Sequence, residues 1–183
     1  MTAGVVTRIG LLRAINVGGR TVKMADLKAM AEGLGFTDAR TLLQSGNLVF
    51  AGGTGDEAEV ERALEAAAAA RFGFDVDFIV RRAPEWAAMI AANPFPQEAI
   101  DDPSHLLAMP LKTAPATGGL TKLRTAIKGR EQAEVVGRTA YLVYPDGIGA
   151  SKLTIAVIER HLGVRGTGRN WNTVQKLAAM AQG

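Results

Sequence analysis

Cysteine is absent from the chain, and that absence removes disulfides, thiolate metal sites and cysteine nucleophiles from consideration. It suits a reducing compartment, and a cytoplasmic location is expected. The two histidines, His105 and His161, stand far apart without an evident carboxylate pattern, so no metal site is expected. No run approaches the roughly 20 apolar residues of a membrane span, and Ala66–Ala70 reads as the middle of a helix. The opening Met-Thr-Ala-Gly-Val-Val-Thr-Arg lacks the basic segment and long apolar stretch of a signal peptide. No membrane partner is expected. Neither G-x-x-x-x-G-K-[ST] nor G-x-G-x-x-G occurs, and no cofactor is expected. No G-x-S-x-G elbow occurs either, so no motif supports a serine triad.

What is present is an ordinary core-forming composition, 48% hydrophobic with 5% aromatic, in 183 residues. That length accommodates one large domain or two small ones. The net charge is only +3, but its distribution is uneven. Met1–Leu111 holds 10 Lys/Arg against 14 Asp/Glu, and Lys112–Gly183 holds 11 against 4, so the halves carry −4 and +7. Such asymmetry points to an anionic partner for the second half, or to two halves that attract each other.

Apolar periodicity gives the order of elements. Arg8–Arg13 reads as a buried strand leading into a turn with Asn16 and Gly18-Gly19, and a helix opens near Met24 and stops at Gly35. Arg40–Gln44 and Leu48–Ala51 form a hairpin over Ser45-Gly46-Asn47, with Asn47 expected in a left-handed conformation. A helix over Asp56–Phe72, acidic at its start where the dipole favours it, precedes a strand at Asp75–Val80. A short helix then carries Pro84, Trp86, Met89 and Ile90, and Asn93–Pro103, with three prolines, is the linker candidate.

The second half repeats that order. A strand at His105–Leu111 leads to a helix with Leu120, Leu123 and Ile127, and Glu131–Val136 and Thr139–Tyr144 form a hairpin over Gly137-Arg138. Next come an apolar helix at Lys152–Leu162 with Ser151 as its cap, a weak strand at Val164–Arg169, and a helix after Asn172, capped by Asn172 with Gln175. The fold expected is α+β, two ferredoxin-like β-α-β-β-α-β repeats with an extra helix after each. The division expected is 1–92, linker 93–103 and 104–183, the whole forming one compact unit.

In such a unit the end of the first strand shares a sheet edge with the turn between the second and third. That groups Arg13, Asn16, Gly18 and Gly19 with Gln44, Ser45 and Asn47, with Arg13 or Lys23 to add charge. The same rule, applied to the second repeat, groups Ser151 and Lys152 with Arg169 and Asn170, and Asn172 is a further candidate beside them. A glycine pair before a helix aims backbone N–H groups at an anion, or is simply a tight turn. Lys152 at a helix start stands against the dipole, either to attract an anion or to pair with Asp146. Arg169 and Asn170 have no evident structural duty. Asp26, Glu131 and Asp146 do not pair into an acid/base couple by spacing.

The blocks Leu11-Leu-Arg-Ala-Ile-Asn-Val-Gly-Gly19, Gln44-Ser-Gly-Asn-Leu-Val-Phe50, Asn93-Pro-Phe95, Ser151-Lys-Leu153 and Thr167-Gly-Arg-Asn-Trp-Asn-Thr-Val174 resemble the signature of a bacterial family filed as domain of unknown function 1697. One departure is visible: Ala14 stands where the family usually has glycine. The resemblance implies a duplicated ferredoxin-like architecture and carries no activity with it.

The function expected is therefore binding of a small anionic or phosphate-bearing ligand through these two groups of residues, with no reaction assigned. One alternative is a nucleic-acid binder that uses the basic second half, with Phe50 and Tyr141 or Tyr144 as stacking aromatics. Another is a protein–protein module whose motif residues are all caps and turns. The oligomeric state is not assigned by the sequence.

Overall fold

The computed structural model describes residues 4–183 and divides into two compact units. One holds the chain through Ala88 together with Leu177–Gly183, and the other is Met89–Lys176.

In the first unit the elements are β1 (Thr7–Leu12), α1 (Met24–Gly33), β2 (Thr37–Leu42), β3 (Asn47–Ala51), α2 (Glu57–Phe72) and β4 (Phe78–Arg82), followed by α3 (Ala83–Ala91). The sheet order is β2-β3-β1-β4 with every neighbouring pair antiparallel, the ferredoxin-like arrangement. Beneath the sheet, Val60, Leu64 and Ala68 recur four apart along α2 and pack with Leu27, Met30, Leu48, Phe50, Phe78 and Val80. An Asp56–Glu59 capping box starts α2, with both backbone N–H bonds at 2.9 Å.

The acidic character of α2 has a second use. β4 lies at the sheet edge, and its outward amides need partners. Glu61 Oε1 accepts from Val80 N at 2.9 Å and Glu65 Oε1 from Phe78 N at 3.0 Å, while Glu57 accepts from Arg82 Nε. The spacings agree. Four helical residues rise about 6 Å and two strand residues about 6.8 Å, so carboxylates at i, i+4 and i+8 run beside alternate residues of the strand.

The second unit contains α4 (Pro96–Asp101) and a 3-10 turn (Pro103–His105) in the segment read as a linker. Then come β5 (Leu106–Pro110), α5 (Gly119–Ala126), β6 (Gln132–Val136), β7 (Thr139–Val143), α6 (Ile155–Leu162), β8 (Arg169–Asn170) and the start of α7 (Trp171–Gln182), which from Leu177 onward belongs to the first unit. Its sheet order, β6-β7-β5-β8, is again antiparallel throughout and repeats the first. Leu107, Met109, Leu111, Leu123, Leu142, Tyr144, Leu153, Ile158 and Leu162 form its core. α5 approaches α6 closely at Gly119, where a Cβ would stand 2.9 Å from the carbonyl oxygen of His161.

Four local expectations are corrected. The apolar helix begins at Ile155, not Lys152, and Thr154, not Ser151, caps it by accepting from Val157 N. Leu153 is buried and its carbonyl receives the Tyr144 hydroxyl at 2.9 Å, which holds Ser151–Leu153 out of the helix. Asn170, not Asn172, caps α7: its Oδ1 accepts from Thr173 N at 3.0 Å, and Asn172 is exposed in the first turn. The strand expected at Val164–Arg169 shrinks to Arg169–Asn170 plus a Leu111–Gly166 bridge in the same register. Pro110, opposite Thr167 in that register, has no N–H to give the ladder. Lastly, Asn47 is an ordinary strand residue, and the left-handed positions of the turn are Leu43 (φ 60°) and Gly46 (φ 85°).

Removing the Glu61 side chain leaves the buried Val80 amide without that acceptor. Glu61→Ala is expected to lower the unfolding free energy by roughly 1–3 kcal/mol, measured by urea denaturation. An unchanged midpoint would show that the carboxylates along β4 do not hold it.

Candidate functional site

The rim of the first unit forms as strand polarity requires. Leu12 N donates to Gly46 O at 2.9 Å, so the segment leaving β1 lies on the turn between β2 and β3. Gly46 fits because a Cβ there would stand 2.7 Å from Ile15 Cδ1 and 2.8 Å from Leu12 Cβ. Asn16 ties the two loops together. Its Nδ2 donates to Val22 O at 3.2 Å and to Gln44 O, and its Oδ1 accepts from Val22 N at 2.9 Å. Asn47 is fully buried, and its Nδ2 donates to Leu42 O (2.7 Å) and Ser45 Oγ (3.1 Å), supporting the turn from inside.

Around that clasp the surface is polar and open. Gly18 and Gly19 are exposed and left-handed, with nothing within 4 Å of where a Cβ would sit. Lys23 occupies the N-cap of α1 without a side-chain cap bond, and Gln44 and Ser45 are exposed. Arg13 is held at β4, its amide donating to Asp77 O at 3.0 Å and its guanidinium 3.8 Å from the Asp77 carboxylate. Three non-glycine residues of this rim have positive φ: Ala14 and Asn16 at 55°, and Leu43 at 60°. The glycine expected in the family at position 14 thus has a backbone reason.

The second group does not assemble as the strand rule suggested. Ser151 Oγ donates to Glu131, just before β6, and accepts from Leu153 N at 3.0 Å. Arg169 is on β8, the opposite sheet edge, three strand spacings or about 14 Å away. The buried Arg169 guanidinium donates to Thr167 Oγ1 (2.8 Å) and Gly168 O (2.9 Å). Burial pushes its pKa down to about 10, which leaves it charged at neutral pH. Asn170 is spent on its cap.

Ser151 and Lys152 instead border a cavity of about 270 Å³ with Lys128, Glu131 and Asp146. Asp146 pairs with Arg130, not Lys152, and is held below its usual range by that guanidinium. Glu131 is likewise held low, chiefly by the Ser151 hydroxyl. A carboxylate stabilised in its charged form is a poor base, so the Ser151–Glu131 pair is not set up as an activated nucleophile.

Phe50, Tyr141 and Tyr144 are all in the core, with the Tyr141 hydroxyl donating to Met89 O at 2.6 Å and its pKa raised by burial to about 12. None offers a face to a base. His105 does have a carboxylate neighbour, with Nδ1 2.7 Å from Asp102 Oδ2, three residues back and overlooked in the sequence. Among the described residues no group of three or more His, Asp or Glu could hold a metal, and no helix is long and apolar enough to cross a membrane. Lys112, Arg160 and Arg165 line a separate cavity, and the positive excess of the second half is their only signal in the sequence.

The family described as protein of unknown function (DUF1697) matches residues 5–141, three quarters of the chain. The chain belongs to this family. Its first three resembling blocks fall inside the match, and Ser151–Leu153 and Thr167–Val174 lie beyond it. No curated protein matches the chain. The conserved bacterial protein SP0830 from Streptococcus pneumoniae is structurally similar, with a TM-score of 0.72 over 97% of this chain and 99% of that one, at 20% identity. At that identity the likeness concerns the fold.

Two outcomes follow from the site geometry. Ala14→Gly relieves a left-handed alanine and is expected to raise stability by about 0.5–1 kcal/mol, net of the extra freedom of unfolded glycine; a fall in melting temperature would contradict this. Glu131, with its pKa depressed on folding, contributes stability that is present above about pH 4.5 and is lost as pH falls through its folded value. Ser151→Ala should therefore flatten the acid limb of the stability–pH curve. A limb as steep as in the wild type would rule out the Ser151 bond as the cause.

Proposed function

We propose that the protein binds a small anionic ligand, of the phosphate-bearing class, at the rim of the first unit where the β1–α1 loop meets the β2–β3 turn. The observation that carries this reading is the gathering of left-handed non-glycine residues there. Three of the four among the described residues, Ala14, Asn16 and Leu43, belong to this rim, and only Asp38 lies elsewhere. Ala14 and Leu43 each cost about 1–2 kcal/mol in this conformation, which Asn16 tolerates better, and backbone strain of this kind concentrates at ligand clamps. The rim also presents what an anion needs: the accessible backbone of Gly18 and Gly19, and the first turn of a ten-residue helix with a lysine at its N-cap. Arg13 adds charge, moderated by Asp77. Asn16 is a positioning residue in this reading, since its amide is engaged with Val22 and Gln44.

Titration calorimetry with inorganic phosphate, a sugar phosphate and a nucleoside monophosphate tests the proposal. Binding to at least one is expected, weakened about tenfold by Lys23→Ala, the loss of one charge-assisted hydrogen bond. Asn16→Ala should weaken it further by releasing the loop. No heat at millimolar concentrations of any of the three, or affinity unchanged in Lys23→Ala, would overturn the reading.

A further inference from the structure

We infer that the second unit carries its own anion-binding cleft, separate from the rim of the first, formed around Lys112, Arg160 and Arg165 and shaped for a small ligand with a doubly charged phosphate or pyrophosphate group. The cavity measures about 580 Å³, within the range of small-molecule sites. It lies where the chain leaving β5 meets the end of α6 and the approach to β8.

The internal duplication shows why the charges there are unusual. In the first unit Leu12 N donates to Gly46 O and Arg13 N to Asp77 O; in the second, Leu111 N donates to Arg138 O and Lys112 N to Arg165 O, at 2.8 Å each. The registers agree, Leu12 facing Phe78 and Leu111 facing Gly166. Position for position, Lys112 is therefore the counterpart of Arg13, and Arg165 the counterpart of Asp77. One framework sets a cation opposite a carboxylate, at 3.8 Å. The other sets a cation opposite a cation.

Directly opposed like charges destabilise an antiparallel pair. α6 brings Arg160 into the same lining, and the helix C-terminus accounts for that cation alone. Glu159 supplies one carboxylate, whose Oε1 also accepts from Gly166 N at 3.4 Å. Three cations and one carboxylate leave the lining at net +2, the charge that a dianion balances. Arginine at two of the three positions favours two-pronged recognition of phosphate oxygens. Ala156 and Val164 give the cavity an apolar wall for the body of the ligand.

Titration of the full chain with inorganic pyrophosphate and with ADP, in wild type, Arg160→Gln, Arg165→Gln and Lys23→Ala, tests the assignment, with far-ultraviolet circular dichroism confirming that each variant folds. Wild type should bind at least one probe. Arg160→Gln and Arg165→Gln should each weaken that binding about tenfold, and in Lys23→Ala, which impairs only the rim, binding at the cleft should persist. Loss in the arginine variants with retention in Lys23→Ala supports the cleft whatever becomes of the rim. No binding in wild type, undiminished binding in both arginine variants, or binding abolished by Lys23→Ala overturns it. Tight binding of a single-stranded oligonucleotide with no response to either small probe would also overturn it, in favour of a nucleic-acid surface.

Discussion

In each sheet the first strand lies between two antiparallel neighbours, and this pairing constrains almost everything else. β1 bonds to β3 on one side and β4 on the other, and β5 to β7 and β8 in the same order. The residue that leaves the central strand must then emerge between a hairpin turn on one flank and the start of the last strand on the other. The arrangement needs a covered outer edge, and in the first unit α2 supplies the cover. Its carboxylates at positions 57, 61 and 65 follow β4 residue by alternate residue. Glu59, on another face of the same helix, closes the capping box instead. Glutamates that composition alone would assign to solubility and the helix dipole thus divide between two structural tasks.

Strain and its containment meet at the rim of the first unit. Asn16 has the small polar side chain that tolerates a left-handed backbone, and it uses both ends of its amide to tie one loop to the other. Gly46 lets Leu12 and Ile15 close over the turn. Ala14 and Leu43 have no such compensation of their own. They are held by what surrounds them, and their conformations therefore report on the loop as a whole.

The element order, both hairpins and the meeting of Asn16 with the Gln44 turn were legible because they follow from apolar periodicity and strand direction, which the sequence states directly. What escaped the reading had competing local solutions. Ser151 and Thr154 are both good caps, as are Asn170 and Asn172. In the first case a bond from the Tyr144 hydroxyl to Leu153 decided, and in the second the helix starts at Trp171, so that Thr173 N donates to Asn170. The grouping of Ser151 with Arg169 failed for a different reason. Strand direction says which end of a sheet a loop occupies but not which edge it turns toward, and the Glu131 bond draws Ser151 to the β6 edge. Arg169 looked unemployed because a buried guanidinium bonded to its own loop has no periodic signature.

Duplication preserves the backbone bonds of the two rims while their side chains diverge. Leu12 and Leu111 make the same bond to a hairpin turn, and Arg13 and Lys112 the same bond to the segment before the last strand. The flanking loops differ: Gly18-Gly19 and the Asn16 clasp have no counterpart before α5, which follows a left-handed Gly118. Divergence of this kind is easiest where side chains face solvent, because the ladder beneath is indifferent to their charge. The opposed Arg13–Asp77 pair is compatible with a rim that is electrostatically complete in itself at that point. The opposed Lys112–Arg165 pair instead sets two like charges side by side, and it sits in the half of the chain whose charge is +7. The local inversion and the global excess have the same sign. The positive bias of the second half therefore has a concrete location in the fold.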